Sequence, residues 1–223
     1  MHNIRFEITE QGELRILDYP DAVKVVDIPP DLGKTFAHCV LHQRDLAFAR
    51  DCIQELIDTQ ASTSEITKRA LWHSALVACF KCFGRSHARS KLDPAEIYDQ
   101  GLQMEVFEYL KSLRNKHIAH DDNDLAQALS GAIVASAESG RKVEDAFCLA
   151  TYGDTLSNES LNNLRLVIEA AAKWVDEKIE SEAEAIVNEL RSWDYDTILN
   201  LPQLVWTKPT AESIHATRTT PGR

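Results

Sequence analysis

The sequence lacks any apolar run of about 18 residues, the length at which a helix can span a bilayer. Its first ten residues alternate polar and apolar side chains, and they lack the basic start and apolar stretch of a signal peptide. No internal repeat is visible. We therefore expect no contact with a membrane and a cytoplasmic location.

The chain also lacks the ligand set of a common structural metal site. Cys79 and Cys82 have half of a zinc-site spacing, but no second pair and no suitably spaced histidines follow. We expect no metal and no cofactor, although a structural metal stays the alternative. Free, buried thiols are typical of a reducing compartment, and we expect this state for the cysteines. They are Cys39, Cys52, Cys79, Cys82 and Cys148.

Positive charge is scarce, because 24 Lys and Arg face 35 Asp and Glu, giving a net charge of −11. Such a balance disfavours non-specific binding to nucleic acid. Hydrophobic residues nevertheless make up 44% of the chain, which is enough for an ordinary core.

Apolar residues recur at three- and four-residue steps over most of the chain, which predicts a mainly α protein. Ser62 or Ser64 can cap the second helix, Asp93 the third and Ser157 the fourth. Gly84 ends the second helix. The four predicted helices cover about residues 32–58, 65–83, 94–119 and 157–193.

Two stretches alternate instead with a period of two, which is typical of strands. Residues 1–30 predict a short β-hairpin followed by an extended segment that ends at Pro29-Pro30. Residues 131–153 predict a second hairpin, with its turn at Ser139-Gly140. Residues 31–199, which include this second hairpin, are predicted to form one helical region, and residues 200–223 a mobile tail.

One short segment carries the sharpest functional signal: residues 114–120 read RNKHIAH. With a helical frame around it, this Arg-x5-His spacing resembles the HEPN superfamily. A polar residue directly after the arginine, here Asn115, is also typical. Residues 70–75, the region of Arg85 and a hairpin between the third and fourth helices look similar to a branch linked to abortive phage infection and toxin systems.

The resemblance implies a four-helix HEPN-like bundle with a β-hairpin between helices 3 and 4. It implies a metal-independent endoribonuclease that acts as a homodimer on RNA, in a toxin or antiphage role, with an antitoxin protein as a possible partner. The catalytic residues would then be Arg114 and His120. Supporting or RNA-binding roles would fall to Asn115, Lys116, His117 and Arg85.

The chemistry of these residue types fits RNA cleavage. Histidine titrates near neutral pH and can move the proton of a ribose 2′-OH, whereas arginine stays charged and binds two phosphate oxygens. One Arg and one His make half a site, which a second copy would complete. On a regular helix, however, Arg114 and His120 lie roughly 120° apart. Their convergence needs a helix end, a distortion or a symmetry mate.

Each residue also has a plain structural interpretation. Arg114 can pair with Asp121 or Asp122, and His73 beside Trp72 is more often a packed histidine than a site residue. The basic run Arg85, His87, Arg89 and Lys91 supplies local positive charge for RNA, or is a solvated loop.

Three functions therefore stay open. The first is the endoribonuclease. The second is a catalytically silent HEPN-like module that binds nucleotide, RNA or a protein partner. The third is an interaction bundle without nucleotide chemistry, whose long fourth helix forms the partner face.

Overall fold

The computed structural model describes residues 4–59, 63–86, 89–120 and 122–215, and this part of the chain is mainly helical, as predicted. Within the described residues, no helix is both long enough and apolar enough for a membrane span. A turn of π-helix, Arg114–Ile118, continues the third helix. The α-helices are α1 (Pro30–Thr59), α2 (Glu65–Lys81), α3 (Leu102–Leu113), α4 (Asn158–Arg191) and α5 (Tyr195–Leu199).

Local signals explain where α2 and α4 begin. The Ser64 hydroxyl accepts a hydrogen bond from the Thr67 N–H at 3.2 Å, and the Ser157 hydroxyl accepts one from the Ser160 N–H at 3.0 Å. Each bond satisfies a donor that the first helical turn leaves free. The alternative cap, Ser62, lies outside the described residues.

The predicted start of the third helix is wrong. Asp93 caps only a short 3₁₀ turn, Pro94–Glu96, by accepting from the Ala95 N–H at 3.0 Å. Gly101 then has a φ of +98°, a conformation outside the right-handed helical region, so α3 begins after it at Leu102. Asp93 and Pro94 therefore begin a short turn and not the longer helix that they predict.

The two predicted hairpins are both present and antiparallel. β1 (Phe6–Ile8) pairs with β2 (Leu14–Ile16), and β3 (Ala126–Val134) pairs with β4 (Val143–Tyr152). The second hairpin begins at Ala126, five residues before the predicted start. Its turn contains Gly140 at a φ of +71°, which glycine adopts without strain.

The chain divides into two compact units, and α1 and α4 each contribute residues to both. Unit 2 consists of residues 46–81 and 93–170. Its buried apolar side chains come from four helices, so its core is helical. They include Leu46, Ile53 and Leu56 of α1, Trp72, Leu76 and Phe80 of α2, Phe107, Leu110 and Leu113 of α3, and Leu161, Leu164 and Ile168 of α4.

Unit 1 consists of residues 1–45, 82–92 and 171–223. Within it, part of the predicted mobile tail is hydrogen-bonded to the N-terminal segment. The Asp27 N–H donates to Pro202 O at 2.8 Å, and the Trp206 N–H donates to Gly12 O at 2.7 Å. The Lys24 ammonium donates to the carbonyl of Leu199 at 2.7 Å. The mobility of the remaining tail stays a prediction.

Unit 1 also buries a histidine that is held neutral. His42 Nε2 donates to the Ser90 carbonyl oxygen at 2.8 Å, and its Nδ1 has no hydrogen-bond partner among the described residues. The pKa of His42 is lowered to about 4, chiefly by burial; the hydrogen bond to Ser90 raises the pKa and the positive charge of Arg89 lowers it. Arg89 itself pairs with Asp45. Protonation of His42 would therefore place an uncompensated charge in the core.

We predict that the free energy of unfolding falls as the pH drops from about 6.5, the ordinary histidine value, towards 4. The folded state holds neutral His42, whereas the unfolded state takes up a proton over this range. His42→Gln keeps a donor for Ser90 and should flatten the dependence, by at most about 1.4 kcal/mol per pH unit. Urea unfolding at several pH values measures it. The same slope in wild type and His42→Gln would contradict the assignment, and exposed His120→Gln is the control.

Candidate functional site

The segment that carries the sequence motif forms a π turn in unit 2. The Ala119 N–H donates to the carbonyl of Arg114 at 3.0 Å, which spans five residues instead of the four of an α-helix. The helix ends at Ile118 with Ala119 as its C-cap, so His120 lies beyond it. The structure thus contains both a distortion and a helix end, the two features that could change the regular angular separation of Arg114 and His120. Single π turns within helices often occur at functional sites.

Arg114 is half-buried and carries a charge that no described carboxylate neutralises. Its Nη1 donates to Asn115 Oδ1 at 3.0 Å, and its buried Nε has no hydrogen-bond partner in the described part of the chain. The alternative ion pair with Asp122 is not formed, whereas Asp121 lies outside the described residues. Asn115 therefore orients a guanidinium whose charge is available to a phosphate.

His120 and Lys116 are both exposed. The His120 side chain forms no hydrogen bond with any described residue, so its ring can reach solvent and ligand. The Lys116 carbonyl accepts from the Asp122 N–H at 2.8 Å, which holds the chain beyond the turn. Arg85 is exposed but belongs to unit 1, and His87 of the same basic run lies outside the described residues.

His117 points into unit 2 instead of towards solvent. Its side chain is only 2% exposed, and both ring nitrogens lack a hydrogen-bond partner among the described residues. The ring packs against Tyr152, with 4.7 Å between ring centroids and 36° between ring planes. His117 therefore holds the π turn against the end of β4.

Two further residues join this cluster: Arg69, which the sequence reasoning missed, and His73, which it interpreted as a packed histidine. The guanidinium carbon of Arg69, on α2, lies 5.1 Å from the centroid of the Tyr152 ring, a cation–π distance. His73, one helical turn after Arg69, is half-buried. Burial lowers the pKa of His73, and the charges of Arg69 and His117 lower it further. The spacing of Arg69 and His73 on one helix face was a usable signal.

A small cleft of about 40 Å³ opens beside these residues. Its size suits a water molecule or a single phosphate oxygen. Lys68, whose ammonium lies 2.8 Å from a Glu65 oxygen, is part of its wall. The lining residues are Glu65, Lys68, Arg69, Trp72, His73, Tyr152, Asp154, Thr155 and Leu156.

The cysteines are free thiols in the described chain. Four of them are buried, as predicted, whereas the expected burial is wrong for Cys148, which is exposed on β4. Within the described ranges, no three His, Cys, Asp or Glu side chains are grouped as metal ligands.

No family model, curated protein or solved structure matches the chain in the comparisons with known proteins.

We predict opposite effects of two substitutions at His117. Phe keeps a ring against Tyr152 and removes two unsatisfied nitrogens, so His117→Phe should be as stable as wild type or gain about 1 kcal/mol. His117→Ala leaves a cavity and should lose about 2–4 kcal/mol. Urea unfolding followed by circular dichroism measures both.

Exposed His120→Ala is the matched control and should stay within about 0.5 kcal/mol of wild type. A large loss of stability in His117→Phe would mean that the His117 nitrogens have partners in the folded protein. The interpretation of His117 as a packing residue would then be wrong.

Proposed function

We propose that this protein is a metal-independent endoribonuclease of the HEPN type, acting as a homodimer in a toxin or antiphage system. The observation that carries the proposal is the charge of Arg114, which no described carboxylate neutralises, six residues before a solvent-accessible His120. A fixed cation and a mobile proton carrier are what cleavage by an attacking 2′-OH needs.

In the proposed reaction, the 2′-OH attacks the adjacent phosphorus and loses its proton, while the 5′ oxygen leaves and takes up a proton. His120 moves one of these protons. Arg114 binds the non-bridging phosphate oxygens, whose negative charge grows in the transition state. Asn115 fixes the guanidinium through its 3.0 Å hydrogen bond, and exposed Lys116 contacts a neighbouring phosphate.

The two proton transfers explain the need for a dimer. One chain provides one exposed histidine in the motif, and a second copy provides another, so that a base and an acid are present together. The four helices that build the core of unit 2 support a HEPN-type bundle as part of the proposal. A partner antitoxin is a further expectation of the same resemblance.

The net charge of −11 argues against broad nucleic-acid binding but leaves room for a local cationic site. Exposed charges are screened over roughly 10 Å at 0.1 M salt, so near groups dominate. The described residues of unit 2 place Arg69 on Tyr152, which contacts His117 of the π turn. Arg69 therefore joins Arg114 and Lys116 as a cation that we expect to matter for RNA.

The test is cleavage of total RNA in EDTA by wild type, His120→Ala, Arg114→Ala and Arg114→Lys. We expect wild type to cut and leave cyclic-phosphate ends. Loss of a general acid or base costs about 100- to 10,000-fold, and loss of a transition-state cation a similar factor, so both alanine variants should be inactive. Arg114→Lys should recover little, because lysine cannot bind two oxygens in a fork.

Circular dichroism of every variant separates lost chemistry from lost folding. His117→Phe, which keeps the packing, is a further control and should still cut if His120 carries the proton. Equal cutting by wild type and His120→Ala would overturn the assignment of His120. No cutting by wild type, with the protein folded, would overturn the nuclease.

A catalytically silent binding module is the second candidate, and one observation favours it. No described residue hydrogen-bonds to His120, so nothing within one chain orients its ring for proton transfer. For such a module we predict that His120→Ala binds single-stranded RNA as wild type does, whereas Arg114→Ala binds at least about tenfold more weakly. Fluorescence anisotropy with a labelled oligonucleotide measures both constants. A tenfold loss in both variants would show that His120 also contacts RNA and would contradict a module in which His120 has no role.

A further inference from the structure

The β3–β4 hairpin is exposed to a degree that a two-stranded sheet seldom tolerates. Every residue of β4 is exposed, and β3 has only two partly covered positions. Leu129, Ile133, Phe147 and Leu149 form an apolar stripe on one face, each about half exposed. A hairpin with an uncovered apolar face is marginally stable alone and gains from added strands.

The register shows which backbone groups of the hairpin are free for pairing. The Gly153 N–H donates to Leu125 O at 2.6 Å, so these two opposed residues form a hydrogen-bonded pair. Such pairs alternate along an antiparallel ladder. The residues in between direct their N–H and C=O groups outward: Ala126, Ala128, Ser130 and Ala132 on β3, and Ala146, Cys148, Ala150 and Tyr152 on β4. Of these groups, the Ala146 N–H is already used, because it donates to Asp145 Oδ1 at 2.8 Å.

The outer edge of β4 lacks the usual protection against strand addition. Natural edges carry lysine, proline or inward charges that prevent pairing. Residues 146–152 read AFCLATY, with no charge and no proline, and the carboxylates of Glu144 and Asp145 lie before them. The Asp145 carboxylate accepts from the Ala146 N–H, so the edge that is open for another strand runs from Phe147 to Tyr152.

We propose that β4 pairs antiparallel with β4 of a second copy of this chain, about a two-fold axis at Cys148. The self-complementarity of the strand argues for a second copy as the occupant. In this register Phe147 lies opposite Leu149, and Leu149 opposite Phe147, which gives two aromatic–aliphatic cross-strand pairs. The outward groups of Cys148 bond to their own symmetry mates.

Neighbouring symmetric registers pair less compatible side chains across the two strands. Moving the axis to residue 147 places Asp145 opposite Leu149, and moving it to residue 149 places Phe147 opposite Thr151. At Cys148, by contrast, Asp145 faces the hydroxyl of Thr151, and the small residues Ala146 and Ala150 face each other. A two-fold contact of this kind closes on itself and does not extend into a fibre.

Charge does not oppose pairing along this strand. Two copies that each carry a net charge of −11 repel each other over most of their surfaces. The uncharged stretch 146–152 lets the chains approach without facing carboxylates. The inference supplies an interface for the dimer of the proposed function but does not need catalysis. Strand pairing is tested by the molar mass in solution and not by activity. Pairing can therefore fail while RNA cleavage persists, and cleavage can fail while pairing persists.

The first test uses proline on the two edges of the hairpin. Ala150→Pro removes an outward N–H that the hairpin does not use, so the monomer should fold while two symmetry-related hydrogen bonds of the dimer are lost. We expect a dimeric wild type and a rise in the dissociation constant of at least about tenfold in Ala150→Pro, measured by analytical ultracentrifugation. Ala128→Pro, directly across on β3, is the matched control and should stay dimeric.

The second test reads the register directly. Opposed residues of a hydrogen-bonded pair have Cα atoms about 5.5 Å apart, within the range of a disulfide. Copper phenanthroline should therefore join two wild-type chains through Cys148, since the other cysteines are buried. In a Cys148→Ser background, Ser130→Cys places a thiol on the β3 edge, and it should not cross-link.

A monomeric wild type would overturn the proposal, as would a dimer that Ala150→Pro leaves intact. Loss of the dimer in Ala128→Pro alone, or cross-linking through Ser130→Cys alone, would assign pairing to β3 and also overturn it. Circular dichroism and urea unfolding establish that both proline variants are folded. A dimer that forms with Cys148→Ser but not with Ala150→Pro supports β4 edge pairing without relying on the thiol.

Discussion

The hydrogen bond from the Ala119 N–H to the Arg114 carbonyl is the constraint on which the candidate site depends. It holds a wider turn than an α-helix, with His117 inside unit 2, Arg114 half-buried and His120 beyond the helix end. This arrangement leaves the Nε of Arg114 and both ring nitrogens of His117 without partners in the described structure. Unsatisfied buried groups cost stability, and costs of this kind concentrate where function requires them.

Much of the fold follows from patterns that the sequence displays openly. Helical and strand periodicities predicted α1, α2, α4 and both hairpins, because each element buries or pairs side chains at its own period. The start of α3 was missed since Asp93 and Pro94 are a sound helix signal, and only the conformation of Gly101 stops it. The early start of β3 was missed because Ala126 and Ala128 have little preference for strands.

The site was less predictable because its contacts join distant parts of the chain. Arg114 and His120 are visible in the sequence as a motif, but their environment is not. Tyr152 meets His117 only when the hairpin register brings the end of β4 to the π turn. Residues 114–118 would suit an ordinary helix, so the π geometry depends on packing and not on propensity. The same packing makes His117 a buried support, a role that its neighbour in sequence, Lys116, does not share.

An acidic chain and an RNA substrate are compatible if the field at the phosphate is set locally. The net charge of −11 is the sum over all charged groups of the sequence, whereas screening limits the reach of each exposed charge to roughly 10 Å. Arg114 forms no ion pair with a described carboxylate, and Arg69 lies on Tyr152 in the same unit. Acidic surfaces elsewhere would then oppose non-specific binding of long duplexes, so that affinity depends on those few cations. A ribonuclease built in this way would gain selectivity from the same negative charge that opposes broad binding of nucleic acid.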